Sequence, residues 1–299
     1  MKIGVVLPLE TDVETGHVVE YAETRAFAMR AEAAGFDSIW TFDHLLYRYP
    51  NKPTAGTWEA WTTLAALAEA TTRVELGTLV LCNPMRNPAV LAKMAVTLDG
   101  VSGGRLILGL GAGWHKPEFD AFGLPFDHRV DRFAEALQIV DPLLRTGQVN
   151  FQGAYYSALD CEILPRGPRP AGPPILIAAF GPRMLRLVAR HADCWNTAWL
   201  GQASGLAKPR AELDAACTQE NRDPASLAVT VGVAVDYTGA ETPSDPLKAL
   251  SGSAEEVAAG LYGHAEAGVS HVICSLRPTT EASLSRLAEA LSRYRLLAT

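Results

Sequence analysis

Residues 74–111, VELGTLVLCNPMRNPAVLAKMAVTLDGVSGGRLILGLG, decide the fold of this chain. A largely apolar run over Val74–Cys82 is followed by a helical pattern over Pro88–Gly100, and a second apolar run covers Arg105–Leu110. Near-continuous apolar runs are typical of parallel strands that are covered on both faces. The stretch therefore predicts a strand, a helix and a second parallel strand in succession.

The same alternation extends over the whole chain. The other predicted strands are Ile3–Pro8, Ser38–Phe42, Pro174–Ala179, Ala192–Thr197, Ala228–Val235 and Val269–Leu276. The other predicted helices are Val18–Ala34, Thr57–Ala70, Val130–Arg145, Arg183–His191, Lys208–Glu220, Ser253–Gly268 and Glu281–Arg295. Eight strands alternating with eight helices predict an α/β fold, a single (β/α)8 TIM barrel. An open, doubly wound sheet is the alternative, because alternation alone does not distinguish the two.

One segment interrupts the alternation. Residues 148–174 are rich in aromatic, Gly and Pro residues and have no helical period. They predict a strand-and-loop insertion between the fourth helix and the fifth strand. We therefore expect one barrel domain over residues 1–299 that carries this insertion.

The composition is that of an ordinary globular protein, with 48% hydrophobic and 20% charged residues. The net charge is −7 and no block of consecutive Lys or Arg occurs, which argues against nucleic acid as a partner. Five cysteines without a CxxC pair, and no HExxH or HxxxH spacing, predict reduced thiols and no metal site. No apolar stretch has the length of a membrane span or signal peptide. We expect a cytoplasmic protein with a small-molecule substrate.

Candidate catalytic residues are sought after each strand, because TIM-barrel active sites lie at the carboxyl ends of the strands. Asp43 and His44 follow the second strand. Histidine is the side chain best suited to exchanging a proton near neutral pH. The structural alternative is that Asp43 caps a turn and His44 packs against Tyr47.

Two glycine-containing turns could bind a cofactor. The run GLGAGW over 109–114 lacks the G-x-G-x-x-G spacing and follows the fourth strand, so a dinucleotide fingerprint is a weak match. It is either the wall of a cofactor pocket or a purely structural turn. In AAFGPRML, Gly181 and Pro182 open a helix whose free N–H groups could cradle a phosphate, with Arg183 adding charge.

Several tryptophans fall near the predicted loops at the barrel mouth. They are Trp58, Trp61, Trp114, Trp195 and Trp199. A core position is the default for any one of them. Together they suggest a rather apolar, aromatic-lined pocket.

These motifs together resemble the bacterial-luciferase-like superfamily of flavin and deazaflavin oxidoreductases, most closely its coenzyme F420-dependent branch. The similarity covers essentially the full chain. It is carried by DSIWTFDHL (37–45), LGTLVLCNPMRNPAVLAKMAVTLDGVSGGRLILGLGAGWHKPEFDAFG (76–123), DRFAEALQIV (131–140), PPILIAAFGP (173–182) and ARHADCWN (189–196).

The resemblance implies a cofactor site and a proton donor. The deazaflavin ring would pack near Asp43, His44 and the third strand, with His44 donating or relaying a proton and Asp43 orienting the ring or the histidine. A non-proline cis peptide behind the ring would fall at Leu79–Val80. The predicted cofactor contacts are Asp43, Leu79, Val80, Cys82, Gly111, Phe180, Gly181, Arg183 and Met184, the last four of them around the phosphate-bearing tail.

Two departures from the resembled branch bear on the substrate. Its sugar-phosphate dehydrogenases have a glutamate directly after the glycine loop, where this chain has Trp114. Their phosphate-binding lysine after the sixth strand is replaced by Ala198-Trp199-Leu200. We therefore expect an apolar or aromatic substrate, with Glu118 as an extra polar group. The predicted substrate pocket consists of Trp114, His115, Trp195, Asn196 and Trp199.

The resemblance predicts an F420-dependent oxidoreductase that transfers hydride between the deazaflavin C5 and an organic substrate. The first alternative is an FMNH2-dependent monooxygenase with FMN as its cofactor. The second is a non-catalytic flavin-binding protein. A nicotinamide dehydrogenase is disfavoured by the misplaced glycine pattern. A homodimer is expected by analogy with relatives.

Overall fold

A computed structural model describes residues 1–13, 15–239 and 248–298. Its main sheet contains eight parallel barrel strands. They are β1 (Lys2–Val6), β2 (Ser38–Thr41), β3 (Glu75–Thr78), β4 (Leu106–Gly111), β5 (Ile175–Ala178), β6 (Cys194–Leu200), β7 (Ala228–Asp236) and β8 (His271–Arg277). The order is β5-β6-β7-β8-β1-β2-β3-β4, and β4 also pairs with β5, which closes the sheet. The structure confirms the predicted closed barrel, and the alternative prediction of an open, doubly wound sheet is wrong.

Helices follow the strands. They are α1 (Tyr21–Ala33), α2 (Ala60–Ala70), α3 (Pro88–Val101), α4 (Lys116–Phe122), α5 (Arg129–Arg145), α6 (Pro182–His191), α7 (Ala207–Gln219), α8 (Ala254–Glu266) and α9 (Glu281–Leu297). The short helix α4 was not expected from the sequence. It ends at Gly123, which adopts a left-handed conformation with φ 67°. No helix in the described ranges is long and apolar enough to span a bilayer.

Local sequence signals set several helix starts. Asn87 accepts hydrogen bonds from the backbone N–H groups of Ala89 and Val90, and Pro88 occupies the first position of α3. The helix predicted from Thr57 begins only at Ala60, because the Glu59 side chain caps α2.

The predicted insertion contains an antiparallel hairpin, Gln148–Gln152 paired with Ser157–Glu162. Its turn is fastened to α5 by one carboxylate. Glu135 accepts hydrogen bonds from three successive backbone N–H groups, those of Ala154, Tyr155 and Tyr156, at 2.8 to 3.0 Å. Further short strands are Leu46–Tyr47, Ala55–Gly56, Leu81–Cys82 and Ala249–Ser251.

The chain divides into two compact units. Unit 1 comprises Met1–Pro8, Thr24–Trp40 and Ala178–Thr299, and unit 2 comprises Leu9–Glu23 and Thr41–Ile177. In unit 1, β1, β7 and β8 are almost wholly buried, as strands covered on both faces must be. In unit 2, β4 is buried along its entire length. That the chain forms one functional domain stays a prediction.

Candidate active site

A cavity of about 120 Å³ lies in unit 2, where the segments after β2, β3 and β4 meet. It is lined by Asp43, His44, Leu79, Val80, Leu81, Cys82, Gly113, Trp114 and Glu118. Six of the residues predicted from the sequence for catalysis, cofactor or substrate therefore share one cavity: Asp43, His44, Leu79, Val80, Cys82 and Trp114.

The chain bends directly after β3 to form one wall of this cavity. The Leu79–Val80 peptide is cis, which confirms the sequence-based expectation. The following residues, Leu81 and Cys82, pair with the end of β4 opposite Leu110 and Gly111. Burial, then the charge of Asp43, raises the pKa of the Cys82 thiol, so it stays a neutral side chain at neutral pH.

Asp43 is held in a buried ion-pair network. Its carboxylate accepts two hydrogen bonds from Arg86, at 2.7 and 2.9 Å, and a third from the Cys82 N–H at 2.8 Å. Arg86 also bonds to Glu59 at the start of α2. Burial alone would lower the pKa of Arg86, but the hydrogen bonds and charges of Asp43 and Glu59 outweigh it and raise that pKa. Asp43 therefore braces the wall after β3.

His44 is oriented by Glu118 and not by Asp43, which corrects the expected pairing. The His44 Nδ1 atom lies 3.0 and 3.2 Å from the two carboxylate oxygens of Glu118. Glu118 also accepts a hydrogen bond from the Leu45 N–H at 2.9 Å. The Glu118 side chain is 1% exposed and that of His44 is 13% exposed. Glu118 thus faces the histidine instead of standing free as an extra polar group.

Aromatic rings surround His44. The Tyr47 ring lies 4.4 Å from the imidazole and the Trp114 ring meets it edge-on at 5.5 Å. The structural alternative for His44 was that it packs against Tyr47. This contact is present, together with the hydrogen bond to Glu118. Burial, then the charge and hydrogen bond of Glu10, raises the pKa of Tyr47 above its ordinary value, so the phenol stays neutral.

His115 does not stand open to a substrate, contrary to the sequence-based expectation. It is 3% exposed, and its Nε2 accepts the Arg48 N–H at 3.0 Å. Burial lowers the pKa of His115, so its imidazole stays neutral. Its ring packs against Tyr49 and Trp114 at 5.2 and 5.0 Å. His115 therefore fastens the segment after β2 to the start of α4.

The glycine run after β4 fits tightly against its neighbours. Gly113 has φ 79°, and a Cβ there would lie 2.5 Å from the Cys82 Sγ and 2.7 Å from Phe119. At Gly109 a Cβ would meet the Thr78 carbonyl oxygen at 1.8 Å. Gly111 lies within β4 beside Cys82. The run is a close-packed turn that also supplies Gly113 to the cavity wall.

The predicted phosphate-binding segment belongs to unit 1. Gly181 precedes α6 with φ 76°, and a Cβ there would meet nothing within 4 Å. Pro182 is the first residue of α6, and Arg183 and Met184 follow in its first turn. Phe180 is 63% exposed. The helix start that the sequence predicted is present.

Trp195 and Asn196, also in unit 1, are core residues. Each is 1% exposed. The Trp195 indole N–H donates to the Ala179 carbonyl oxygen at 3.1 Å, and the Asn196 amide donates to Thr230 Oγ1 at 2.8 Å. The expectation that they line a substrate pocket is not supported by these contacts. Trp199 is 39% exposed and follows a cis peptide that the sequence did not predict.

The remaining two tryptophans are also accounted for. Trp61 is buried in α2, and Trp58 is half exposed, with its indole N–H donating to the Val19 carbonyl oxygen at 2.6 Å. The sequence pattern indicated no role for Arg86 or Glu59, which hold Asp43 in place. The available signal was that Arg86 follows the third predicted strand as Asp43 follows the second, at the edge where the carboxyl ends of parallel strands meet.

Comparison with known proteins identifies the family. A family model described as luciferase-like monooxygenase matches residues 1–245. An F420-dependent glucose-6-phosphate dehydrogenase of Amycolatopsis mediterranei is 37% identical over 174 residues, which cover 56% of this chain and 50% of that protein. The pyrimidine monooxygenase RutA of Cronobacter turicensis is 29% identical over 259 residues, covering 78% of this chain and 65% of that protein. The chain thus spans half to two thirds of the length of these relatives.

A similar solved structure supports the fold. An F420-dependent secondary alcohol dehydrogenase in complex with an F420-acetone adduct superposes with a TM-score of 0.81 at 22% identity. The superposition covers 98% of this chain and 99% of that one. The monooxygenase RslO1 from Streptomyces bottropensis has a TM-score of 0.77 at 21% identity.

Proposed function

Because the chain belongs to the luciferase-like monooxygenase family, we propose that it is an oxidoreductase that moves hydride between coenzyme F420 and an organic substrate. The observation that carries the proposal is the cavity after β2, β3 and β4, which is lined by His44 together with the apolar residues Leu79 and Val80. Relatives with F420-dependent names match the chain at 37% identity over about half its length.

The residues of the cavity fit the edge of a flat ring. Leu79, Val80 and Cys82 give an apolar wall with a neutral thiol, and Gly113 adds a wall without a side chain. A volume of about 120 Å³ is below the ~300–1,000 Å³ of pockets that enclose a whole ligand. Only the reactive edge would therefore be enclosed. When bound, the deazaflavin supplies the hydride chemistry, and the protein orients it and handles protons.

His44 is the proposed proton-exchanging residue. It is the only histidine among the residues that line the cavity in the described part of the chain. Its side chain is partly exposed, whereas Asp43 is buried and fully engaged by Arg86. Histidine exchanges protons near neutral pH, and such catalysis contributes typically ~10²–10⁴-fold to a rate. Asp43 would affect the reaction indirectly, by holding the cavity wall after β3 in place through its hydrogen bond with the Cys82 N–H.

The lining also favours a neutral, flat substrate. Among the described residues of the cavity wall there is no Lys or Arg, and the nearby Arg86 is neutralised by Asp43 and Glu59. A phosphate would therefore lack a counterion there. The Trp114 indole is 59% exposed beside His44 and offers an apolar face. These features support an apolar or aromatic substrate, with Trp199 kept as a predicted contact.

The start of α6 is the proposed contact for the phosphate-bearing tail of the cofactor. Gly181, Arg183 and Met184, with Phe180 before them, stay predictions from the resemblance. The N–H groups of a helix start suit a phosphate, which supports the assignment.

The alternative function is an FMNH2-dependent monooxygenase. The 29% identity to a pyrimidine monooxygenase over 78% of this chain favours it specifically. The same cavity would then hold the edge of a flavin and His44 would keep its role. The third candidate is a non-catalytic flavin-binding protein. Such a protein would have no catalytic turnover, so replacement of His44 would leave its flavin binding unchanged and would abolish no reaction.

Parallel titrations of the cofactor-free protein with F420 and with FMN test the proposal. Tryptophan fluorescence reports binding, because Trp114 lines the cavity beside His44. Trp114→Phe should remove most of the signal, while Trp58→Phe, which changes a half-exposed indole outside the cavity lining, should leave the binding response intact.

Micromolar binding of F420 with weaker binding of FMN is the expected result. The reverse preference would favour the monooxygenase, and consumption of O2 with FMNH2 would then be measured. Binding of neither cofactor would overturn both enzyme proposals.

A homodimer in the cytoplasm is the proposed state of the protein. The five cysteines are free thiols, which supports a reducing compartment. Light scattering coupled to size-exclusion chromatography measures the oligomeric state directly.

A further inference from the structure

We propose that Glu118 is a positioning residue that holds His44 in the tautomer protonated on Nδ1, which makes Nε2 the nitrogen that exchanges protons in the cavity. Only the role of Nε2 in exchanging a proton during the reaction rests on the proposed function. The tautomer of His44 is a property of the protein without any cofactor.

The first observation is the geometry of the pair. Both Glu118 oxygens lie within 3.2 Å of Nδ1 of His44, and the carboxylate is 1% exposed. An ionised carboxylate has acceptors and no donors, so the hydrogen bond requires the proton on Nδ1. In a neutral imidazole the other nitrogen is then an acceptor.

The second observation is that Glu118 itself cannot turn away freely. Its Oε2 accepts the Leu45 N–H at 2.9 Å. One turn earlier, His115 accepts the Arg48 N–H through its Nε2. Two hydrogen bonds therefore join the segment after β2 to the start of α4, one at each end of residues 45–48. The carboxylate is held in register with the imidazole by the backbone.

The third observation is that the imidazole plane is fixed by packing. Tyr47 lies against it at 4.4 Å and Trp114 meets it edge-on at 5.5 Å. A ring flip that exchanged Nδ1 with Cδ2, and so turned Nδ1 away from Glu118, would have to displace these two rings. His44 is thus oriented by a carboxylate and held in place by two packed rings. In other enzymes a carboxylate bonded to Nδ1 keeps a proton-transfer histidine in one tautomer in the same way.

The substitution Glu118→Gln makes a sharp prediction because Leu45 N–H still requires an oxygen acceptor. The amide oxygen would remain with Leu45, so the amide NH₂ would face His44. Nδ1 would then become the acceptor and the proton would move to Nε2. The expected result is a reversal of the tautomer population of His44, from mainly Nδ1–H to mainly Nε2–H.

The test is ¹⁵N NMR of histidine-labelled, cofactor-free protein at about pH 8, above the ordinary histidine pKa of about 6.5. The two-bond ¹H–¹⁵N pattern distinguishes the tautomers, and His44→Gln assigns the signal. Glu118→Asp keeps a carboxylate and should retain mainly Nδ1–H. Glu135→Gln is the matched control, because Glu135 also accepts backbone N–H groups in unit 2 but contacts the hairpin.

The proposal is overturned if the unmodified protein shows His44 mainly as Nε2–H, or if Glu118→Gln leaves the tautomer unchanged. If Glu118→Gln does not fold, the unmodified protein and Glu118→Asp still decide the matter. Failure of F420 and FMN to bind would overturn the proposed function while leaving this result intact, so the two failures are distinguishable.

Discussion

Each unit of the molecule holds a histidine in a hydrogen-bonded cluster, and the partners of the two histidines differ in their chemistry. In unit 1, Nε2 of His271 lies 2.7 Å from the Ser38 hydroxyl, which also accepts the Trp40 indole N–H at 2.7 Å. In unit 2, His44 meets the carboxylate of Glu118. One histidine has a neutral partner and the other an acidic partner.

The difference teaches how environment separates a structural histidine from a reactive one. His271 is 5% exposed, and burial lowers its pKa to about 3, so it is a neutral hydrogen-bonding core residue. His44 reaches a cavity and has a partner that can carry charge. A buried imidazole with a hydroxyl partner stabilises a core, whereas a partly exposed imidazole that lines a cavity and has a carboxylate partner can exchange protons.

The largest expected effect comes from removing each histidine in turn. His44→Ala should reduce single-turnover hydride transfer per folded molecule by ~10²–10⁴-fold, the usual contribution of proton-transfer catalysis. His271→Ala should lower the melting temperature and leave the rate per folded molecule unchanged. Full turnover in His44→Ala would contradict the comparison, and so would unaltered stability in His271→Ala.

Breaking the charged network of unit 2 should cost more stability than breaking an exposed ion pair. Asp43→Asn removes the negative charge that faces the Arg86 guanidinium and leaves Glu59 as its charged partner, and loss of a buried charged partner typically costs ~3–5 kcal/mol. The matched control is Asp120→Asn, which removes an exposed pair with Lys116 and should change stability by ~1 kcal/mol or less. Urea unfolding measures both, and equal effects would argue against the bracing role of Asp43.

Breaking the neutral cluster of unit 1 should have an intermediate effect. Ser38→Ala leaves the Trp40 N–H and the His271 Nε2 without their shared partner, and each buried unsatisfied group costs ~1–3 kcal/mol. Ser292→Ala, which removes an exposed hydroxyl bonded within α9, is the control and should be nearly neutral. A change in Ser38→Ala no larger than in the control would show that the cluster contributes nothing.

The smallest effect is a pH dependence of stability that belongs to unit 1. The pKa of His271 is lowered from 6.5 in the reference state to about 3 in the folded protein, so the unfolded chain takes up the proton first. The contribution to stability therefore falls as the pH drops below about 6.5, by up to ~1.4 kcal/mol per pH unit until about pH 3. The free energy of unfolding, measured with urea at pH 6.5 and at pH 5.5, should therefore fall less between the two pH values in His271→Gln than in the unmodified protein.

The fold was predictable because strand and helix periods are local properties. Each of the eight predicted strands is present, and the insertion of 148–174 contains the expected hairpin. Closure of the sheet was not decided by periodicity, since it depends on β4 pairing with β5 across the insertion. Helix α4 was missed because its seven residues are too short for a helical period to show.

The site was predictable in position and less so in its contacts. Asp43, His44 and the cis peptide at Leu79–Val80 share the cavity region that sequence and resemblance indicated. That Glu118 rather than Asp43 would orient His44 depends on which way side chains 74 positions apart in the chain face, and no local pattern encodes that direction. Trp195 is a core residue in the structure, and the sequence did not decide this because a strand-end tryptophan can point into the core or out of it.

The tight fit at Gly113 has a consequence for altering the specificity of this protein by directed evolution. Any larger residue there would collide with Cys82 and Phe119, and its positive φ disfavours side chains. The next residue, Trp114, is 59% exposed and lines the same cavity. A mutant library should therefore keep position 113 fixed and randomise position 114, because the first position does not tolerate a larger side chain and the second is exposed enough to accept one.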